Sequence, residues 1–202
     1  MDFHLLIQGI ILGFSIAAPV GPIGLLCIQR TLTQGRWSGL ISGLGAALAD
    51  TIYGCIAGWG LSIVSQFLVE QQNEIRCCGG ILLIYLGGKI LLEKPAEQPA
   101  LTDHRSWLWN LASTFFLTLT NPMTILFFAA TFSALGNPQP SHSLLIVLGV
   151  TIGSTLWWFI LTSTVSLIQK VISPQFLPWL HYASGVTLIA FGVYGVYSAG
   201  LF

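Results

Sequence analysis

The sequence predicts an all-α, polytopic membrane protein whose six transmembrane helices form two inverted three-helix repeats, with the first helix of each repeat broken. Three observations support this fold class. The 202 residues are 54% hydrophobic and only 7% charged, whereas soluble domains carry roughly 25% charged residues. Apolar stretches of about 20 residues, the length that crosses a bilayer, recur along the chain. The two halves of the chain also carry similar motifs at corresponding positions.

Six apolar spans fit the chain, at residues 3–32 with an interruption, 37–67, 75–92, 107–134, 141–168 and 179–201. The polar connection 93–106 contains two prolines and is predicted to be a linker. It divides the chain into a first repeat at 1–92 and a second repeat at 107–202. The sequence contains no GxxxxGK[ST] motif, so it predicts no nucleotide-driven motor.

The basic residues predict the orientation in the membrane, because cytoplasmic loops collect Lys and Arg. The chain has seven basic residues. On one side of the predicted spans lie Arg30, Arg36, Lys89, Lys94, Arg105 and Lys170. On the other side lies Arg76 alone. We therefore expect the linker 93–106 to be cytoplasmic and both termini to lie outside the cytoplasm.

Short matches between the two halves predict an internal repeat. Residues 80–87 in the third span resemble residues 185–192 in the sixth span. Residues 50–53 in the second span align with residues 154–157 in the fifth span. Because each repeat has an odd number of spans, the two repeats must be inverted, about a pseudo-two-fold axis in the membrane plane.

Proline breaks occur at matching places in the two repeats. The first span contains Pro19, Gly21 and Pro22, and the fourth span contains Asn121 and Pro122. Proline removes a backbone donor and disfavours helix in the residue before it. The half-helix that follows begins with unpaired N–H groups, which membranes tolerate only beside protein or a cavity. One such break is explained by a packing kink, but two at corresponding positions indicate a binding site near the bilayer midplane.

Asp50 is the acidic residue that lies deepest in an apolar segment. An Asp at the centre of a membrane helix costs roughly 2.5–3.5 kcal/mol on insertion scales, so we do not expect it to face lipid. Its helix face is otherwise formed by small residues at steps of three and four: Gly39, Gly43, Ala46, Gly54 and Ala57. Such a face lets another helix approach closely. We assign Asp50 to substrate binding or coupling, with a satisfied structural role as the alternative.

Several motifs follow one another in a fixed order along the chain. They are Gly9-x-x-x-Gly13, Pro19-Val20-Gly21-Pro22, Gly35, the stretch 39–50 and the run 121–128. Together they resemble the LysE superfamily of lysine exporters, which includes the threonine/homoserine exporters. The resemblance covers essentially the whole chain. It implies an exporter of amino acids or related small solutes in a bacterial inner membrane, working by proton antiport and alternating access.

Some residues depart from the pattern of that family. Ile23 and Gly24 stand where many relatives carry amide side chains, and Met123 stands where a Lys often follows Asn-Pro. These departures leave the particular amino acid open more than the transport role.

An amino-acid zwitterion needs a cationic and an anionic partner close together in a dehydrated pocket. The half-helix N-termini after Pro22 and Pro122 can donate N–H groups to a carboxylate, while Asp50 can pair with an ammonium. Predicted polar neighbours are Asn121, Thr118, Thr120 and Ser154. For the threonines and the serine, bonding to a carbonyl of their own helix is the alternative. The predicted substrate and coupling site consists of Asp50, Pro19, Gly21, Pro22, Asn121, Pro122 and Ser154.

Other function classes lack matching features. A cation or metal transporter of the same superfamily would need more oxygen or sulfur ligands inside the bundle, and we interpret the four cysteines as small apolar residues. A membrane-embedded enzyme would need a catalytic constellation, and a scaffold would need no intramembrane acid. No basic run indicates nucleic-acid binding. We expect an amino acid, protons and the lipid bilayer as partners and no cofactor, with a homodimer left open.

Overall fold

The computed structural model of the protein describes residues 3–19, 21–59, 67, 70–92, 107–121, 124–128, 140–168 and 176–200. Most of these belong to helices α1 (Phe3–Ala17), α2 (Pro22–Gln34), α3 (Arg36–Gly58), α4 (Gln72–Leu92), α5 (Trp107–Leu119), α6 (Pro140–Ile168) and α7 (Phe176–Ser198). The described residues include no strand, so the prediction of an all-α protein is confirmed. Outside the described residues lie the predicted linker 93–106, with Lys94 and Arg105, and also Pro122 and Lys170.

Several of these helices are long and apolar enough to cross a bilayer. Three qualify alone, at Arg36–Gly58, Gln72–Leu92 and His142–Ile168. The pair α1 and α2, bent by 80° at the break between them, meets the same criteria of length and composition when the two helices are taken together, as a broken span or a re-entrant loop. Large apolar side chains cover the outer surface, with Leu108 81% and Ile81 57% exposed, as expected for a surface in contact with lipid. The protein is therefore a multi-pass membrane protein.

A glycine makes the sharp turn between α2 and α3. Gly35 has φ +89° and ψ 163°, a left-handed conformation that favours glycine. Its carbonyl accepts hydrogen bonds from the amides of Ser38 at 3.1 Å and Gly39 at 3.3 Å. The turn folds α3 back against α2, which places the centre of α3 beside the break that precedes α2.

Helix α3 lies at the centre of the bundle and packs against α2, α5 and α6. Its small face is buried as the sequence predicts, at Gly39, Gly43, Ala46, Asp50 and Gly54, while Ala57 is half-buried. A methyl group added at Gly43 would lie 2.5 Å from the Trp158 Cβ atom of α6. The absence of side chains on this face thus allows the close helix contacts that bury Asp50.

Helices α4 and α7 run antiparallel and meet through two pairs of glycines. A Cβ atom on Gly80 would lie 2.7 Å from the Gly192 carbonyl oxygen, and one on Gly87 would lie 2.7 Å from the Gly185 carbonyl oxygen. Helix α1 packs against α6 in the same way, with its Gly9 directly against the α6 backbone. Backbone contact at glycines therefore holds the periphery of the bundle together.

Arg30, which the sequence analysis counted among the basic residues of one side, is buried between helices and does not extend to the surface. The side chain is only 3% exposed. Its Nη1 donates to the Ser42 Oγ and the Asn110 carbonyl, both at 3.0 Å, and its Nη2 donates to the Ser113 Oγ at 2.8 Å. These hydrogen bonds replace those that the guanidinium would make to water, and so offset the cost of burying its charge. Arg30 thus joins α2, α3 and α5.

Candidate functional site

Two adjoining cavities lie beside the break between α1 and α2. The larger cavity has a volume of about 530 Å³ and the smaller about 60 Å³. Both are lined by Ile16, Pro19, Gly21, Pro22, Ile23, Asn121 and Thr124. Residues of the first predicted break, at 19–22, and Asn121 of the second therefore lie in one shared wall.

The first break directs a helix N-terminus into this wall. Pro22 occupies the first position of α2, where its missing N–H is not needed, and Gly21 precedes it in extended conformation. The first helical hydrogen bond runs from the Leu25 amide to the Gly21 carbonyl at 3.0 Å. The amides of Ile23 and Gly24 precede that bond, and both residues line the smaller cavity. Such N-terminal amides carry a partial positive charge.

The described residues on either side of the second predicted break show part of the same arrangement. Helix α5 ends at Leu119, and residues 124–128 are again helical. The Ile125 amide donates to the Asn121 carbonyl at 3.3 Å, which parallels the bond that starts α2. Pro122 lies outside the described residues, whereas Asn121 lines both cavities.

Thr124 is a residue of this wall that the sequence analysis missed. It is buried and lines both cavities. Its position in the first turn after the Asn-Pro break was the signal that could have identified it. Thr118 and Thr120 also line the cavities, and each donates to a carbonyl of its own helix, at 2.9 Å and 2.8 Å. These two threonines thus make the local bond that the sequence analysis gave as the alternative, and they also border the site as predicted polar neighbours.

Asp50 lines the smaller cavity and is only 2% exposed. Its Oδ2 accepts a hydrogen bond from the Ser154 Oγ of α6 at 2.7 Å. Ser154 therefore bonds the acid rather than a carbonyl of its own helix. The hydroxyl of Thr51, the next residue of α3, lies 2.8 Å from that of Thr151, which precedes Ser154 by about one turn, so this pair joins the same two helices. Asp50 thus faces protein and a cavity and not lipid, as the sequence predicts.

The larger cavity has a different chemical character. Its walls are largely apolar and aromatic, with Leu83, Phe127, Phe191 and Tyr194 among the lining residues. Arg76 is the one charged side chain among the described residues that line it. The sequence analysis treated Arg76 only as an orientation signal. An acid therefore lines the smaller cavity and a cation the larger one, with the helix N-termini in the wall between them.

Potential metal ligands do not cluster in the described part of the protein. Among the residues that the structure describes, no three His, Cys, Asp or Glu side chains come close enough to hold a metal ion. The four cysteines are free, and Cys27 is fully buried between helices.

Comparisons with known proteins agree with a transport role. The LysE type translocator family matches residues 14–199. The Bacillus subtilis protein named "Putative amino acid efflux protein YcgF" is 30% identical over 95% of this chain and 94% of its own length. A leucine efflux protein of Klebsiella pneumoniae subsp. pneumoniae is 27% identical over 59% of this chain and 57% of its own. The uncharacterized membrane protein YahN of Escherichia coli is 28% identical over 69% of this chain and 65% of its own length.

No solved structure gives a significant match to the chain. The family match spans most of the sequence and includes both breaks and Asp50. The chain therefore belongs to the LysE type translocator family and is a membrane transporter, not an enzyme.

Proposed function

We propose that this protein exports amino acids, or closely related small solutes, from the bacterial cytoplasm by proton antiport and alternating access. The observation that carries the proposal is the convergence of a buried acid, the N-terminus of α2, and Asn121 with Thr124 on adjoining cavities. Two similar proteins are named for efflux of amino acids and of leucine, which supports the substrate class.

Asp50 and the helix N-termini match the two charged ends of an amino acid. Asp50 faces the smaller cavity and can pair with the substrate ammonium. The amides of Ile23, Gly24 and Thr124 lie in the first turns after the breaks and can donate to the substrate carboxylate. These opposite partners lie around one shared wall, as recognition of a zwitterion requires.

Asp50 also supplies a means of coupling. A buried carboxylate is costly unless it meets a cation or takes up a proton. Within the described part of the chain, Ser154 donates to one oxygen of Asp50 and no hydrogen bond engages the other, which can meet such a partner. Proton and substrate ammonium would therefore occupy the acid alternately, so that a proton entering the cell displaces an amino acid leaving it.

The glycine contacts support an inverted repeat of 1–92 and 107–202 joined by the cytoplasmic linker. In the sequence repeat, Gly80 corresponds to Gly185 and Gly87 to Gly192. Exchanging the repeats turns the contact of Gly80 with Gly192 into that of Gly185 with Gly87, and both contacts occur. The pairing of α1 with α6 likewise corresponds to that of α5 with α3. Inverted repeats that rock against each other are a common basis of alternating access.

The same proposal places the protein in the inner membrane with both termini outside the cytoplasm. Lys89 and Arg76 lie at opposite ends of α4, and Lys89 Nζ lies 5.9 Å from the centre of the Trp109 ring. A basic residue beside an exposed tryptophan is typical of a membrane interface. In this orientation the Arg76 end of α4 faces outward. Cross-linking in native membranes would test the homodimer that the sequence leaves open.

Transport by purified protein in proteoliposomes tests the proposal. Vesicles loaded with a panel of labelled amino acids should release at least one of them faster when the exterior is made acidic. Protein-free vesicles and a Gly88→Ala variant, which alters a position with open space around it, serve as negative and positive controls. The proposal fails if the protein releases no amino acid from the vesicles, or if the rate of release is the same with and without the pH gradient. Divalent cations in the same assay would test the metal-transport alternative.

A further inference from the structure

Arg76 occupies an unusual position for a basic residue of a membrane protein. It lies in the first turns of α4, half-buried, and lines the larger cavity. Bilayer-facing arginines usually extend toward the headgroups, but this one borders a partly open cavity with aromatic walls. Its position calls for a partner inside the cavity.

The described contacts of Arg76 leave most of its donors unused. Nη1 donates to the Ser198 carbonyl at 3.3 Å and to the Ser198 Oγ at 3.5 Å, both long bonds. Nε is buried, and no acceptor among the described residues reaches it. A guanidinium carries five N–H donors in a planar fork that matches a carboxylate. An anionic group in the cavity would therefore satisfy donors that the protein leaves unmatched.

The other residues that line the cavity indicate the chemical character of the rest of the ligand. Phe127, Phe191, Tyr194 and Leu83 present apolar surface. The volume of about 530 Å³ lies within the roughly 300–1,000 Å³ of small-molecule sites. A ligand that fits both features combines a carboxylate with a large apolar side chain.

We propose that Arg76 binds the carboxylate of the exported amino acid in the larger cavity, and that this cavity selects amino acids with large apolar side chains. This inference rests on the proposed function and adds a second position to it. The carboxylate first meets the helix N-termini of the shared wall and then Arg76, nearer the outer side. Arg76 is thus a binding and specificity residue.

Binding to the purified protein in lipid nanodiscs, measured by titration calorimetry, separates the carboxylate from the rest of the ligand. Leucine, phenylalanine and methionine serve as apolar probes, glycine as a small probe, and isoamylamine as leucine without its carboxylate. Arg76→Gln should weaken leucine binding by about 10-fold or more, the effect of losing a charged hydrogen bond, and leave isoamylamine binding unchanged. Arg76→Lys should retain part of the affinity. Lys89→Gln, a charge loss on the same helix away from both cavities, should change neither ligand.

Each outcome bears on the inference. Unchanged isoamylamine binding shows that the Arg76→Gln protein is folded, so wild-type affinity of that variant for leucine would overturn the role of Arg76. Loss of leucine and isoamylamine together would also overturn it, because the role would then be structural. If wild-type protein binds glycine as tightly as leucine, or binds none of the three apolar probes, the proposed selectivity is wrong. The proposed function fails separately, when wild-type protein exports no amino acid.

Discussion

Two neighbouring glycines of α4 allow a matched test of the contact between α4 and α7. A Cβ atom on Gly87 would lie 2.7 Å from the Gly185 carbonyl oxygen and 2.8 Å from the Ile189 Cγ1. A Cβ atom on Gly88 would meet nothing within 4 Å. Both substitutions to alanine make the same chemical change in the same helix, so their difference isolates the helix contact.

The expected magnitudes follow from these distances. Alanine favours a helix interior by about 1 kcal/mol over glycine, and this gain applies to both positions. At Gly87 the backbones must also separate, and overpacking of this kind costs about 1–3 kcal/mol. Gly88→Ala should therefore be neutral or stabilising, and Gly87→Ala should be less stable than it by about 1–3 kcal/mol.

Thermal denaturation in detergent measures this difference. On the scale of about 2–4 °C per kcal/mol for chains of this length, Gly87→Ala should melt several degrees below Gly88→Ala. Gly192→Ala should behave like Gly87→Ala, because the proposed repeat places the two glycines in equivalent contacts. Equal melting temperatures for Gly87→Ala and Gly88→Ala would refute the close approach of α4 and α7.

Three further predictions concern the break, the buried arginine and the topology. Pro22→Ala should make the first span more continuous and abolish export in a cell-based efflux assay while membrane insertion is retained, and Pro122→Ala should do the same; normal export by both would reduce the breaks to packing kinks. Arg30→Gln should lower the free energy of unfolding by at least about 2 kcal/mol through loss of charged hydrogen bonds, and wild-type stability in detergent denaturation would contradict its bridging role. In a cysteine-free background, Asn137→Cys but not Gln98→Cys should react with an impermeant thiol reagent in intact cells, and the reverse labelling would invert the orientation.

The helices and the first break could be predicted because a membrane restricts the solutions available to a sequence. A span needs an uninterrupted apolar length, and a break is tolerated only where protein or a cavity covers it. The interruption at 19–22 appears between α1 and α2. The spacing of small residues along α3 likewise predicted which face would be buried, because close helix approach depends on missing side chains.

Arg30 shows what the sequence could not reveal. Charge counting treats a basic residue at the end of a span as a surface charge. Its acceptors are distant in the chain, with Ser42 12 residues away and Ser113 83 residues away. Only the packing of α2, α3 and α5 brings them together, so no local sequence pattern predicts that Arg30 is buried.

Some residues of the candidate site could be predicted from the sequence and others could not. Alignment of the two halves matched Asp50 with Ser154, and the structure joins them by a hydrogen bond. Arg76 and Thr124 were missed as site residues, because the larger cavity arises from the packing of α4 and α7 against both breaks. A pattern within one helix contains no information about such a space.

The central claim is that Asp50 exchanges a proton for the substrate. Asp50→Asn retains an acceptor for the Ser154 hydroxyl but cannot change charge, so the variant should fold and remain monodisperse. The most direct measurement compares it with wild-type protein and Asp50→Glu in vesicles loaded with labelled amino acid and given an acidic exterior. Wild-type protein should show release that the pH gradient accelerates, Asp50→Glu should show a smaller acceleration, and Asp50→Asn should show only background release. Acceleration by the pH gradient in Asp50→Asn at the wild-type rate would contradict the exchange of proton and substrate at Asp50.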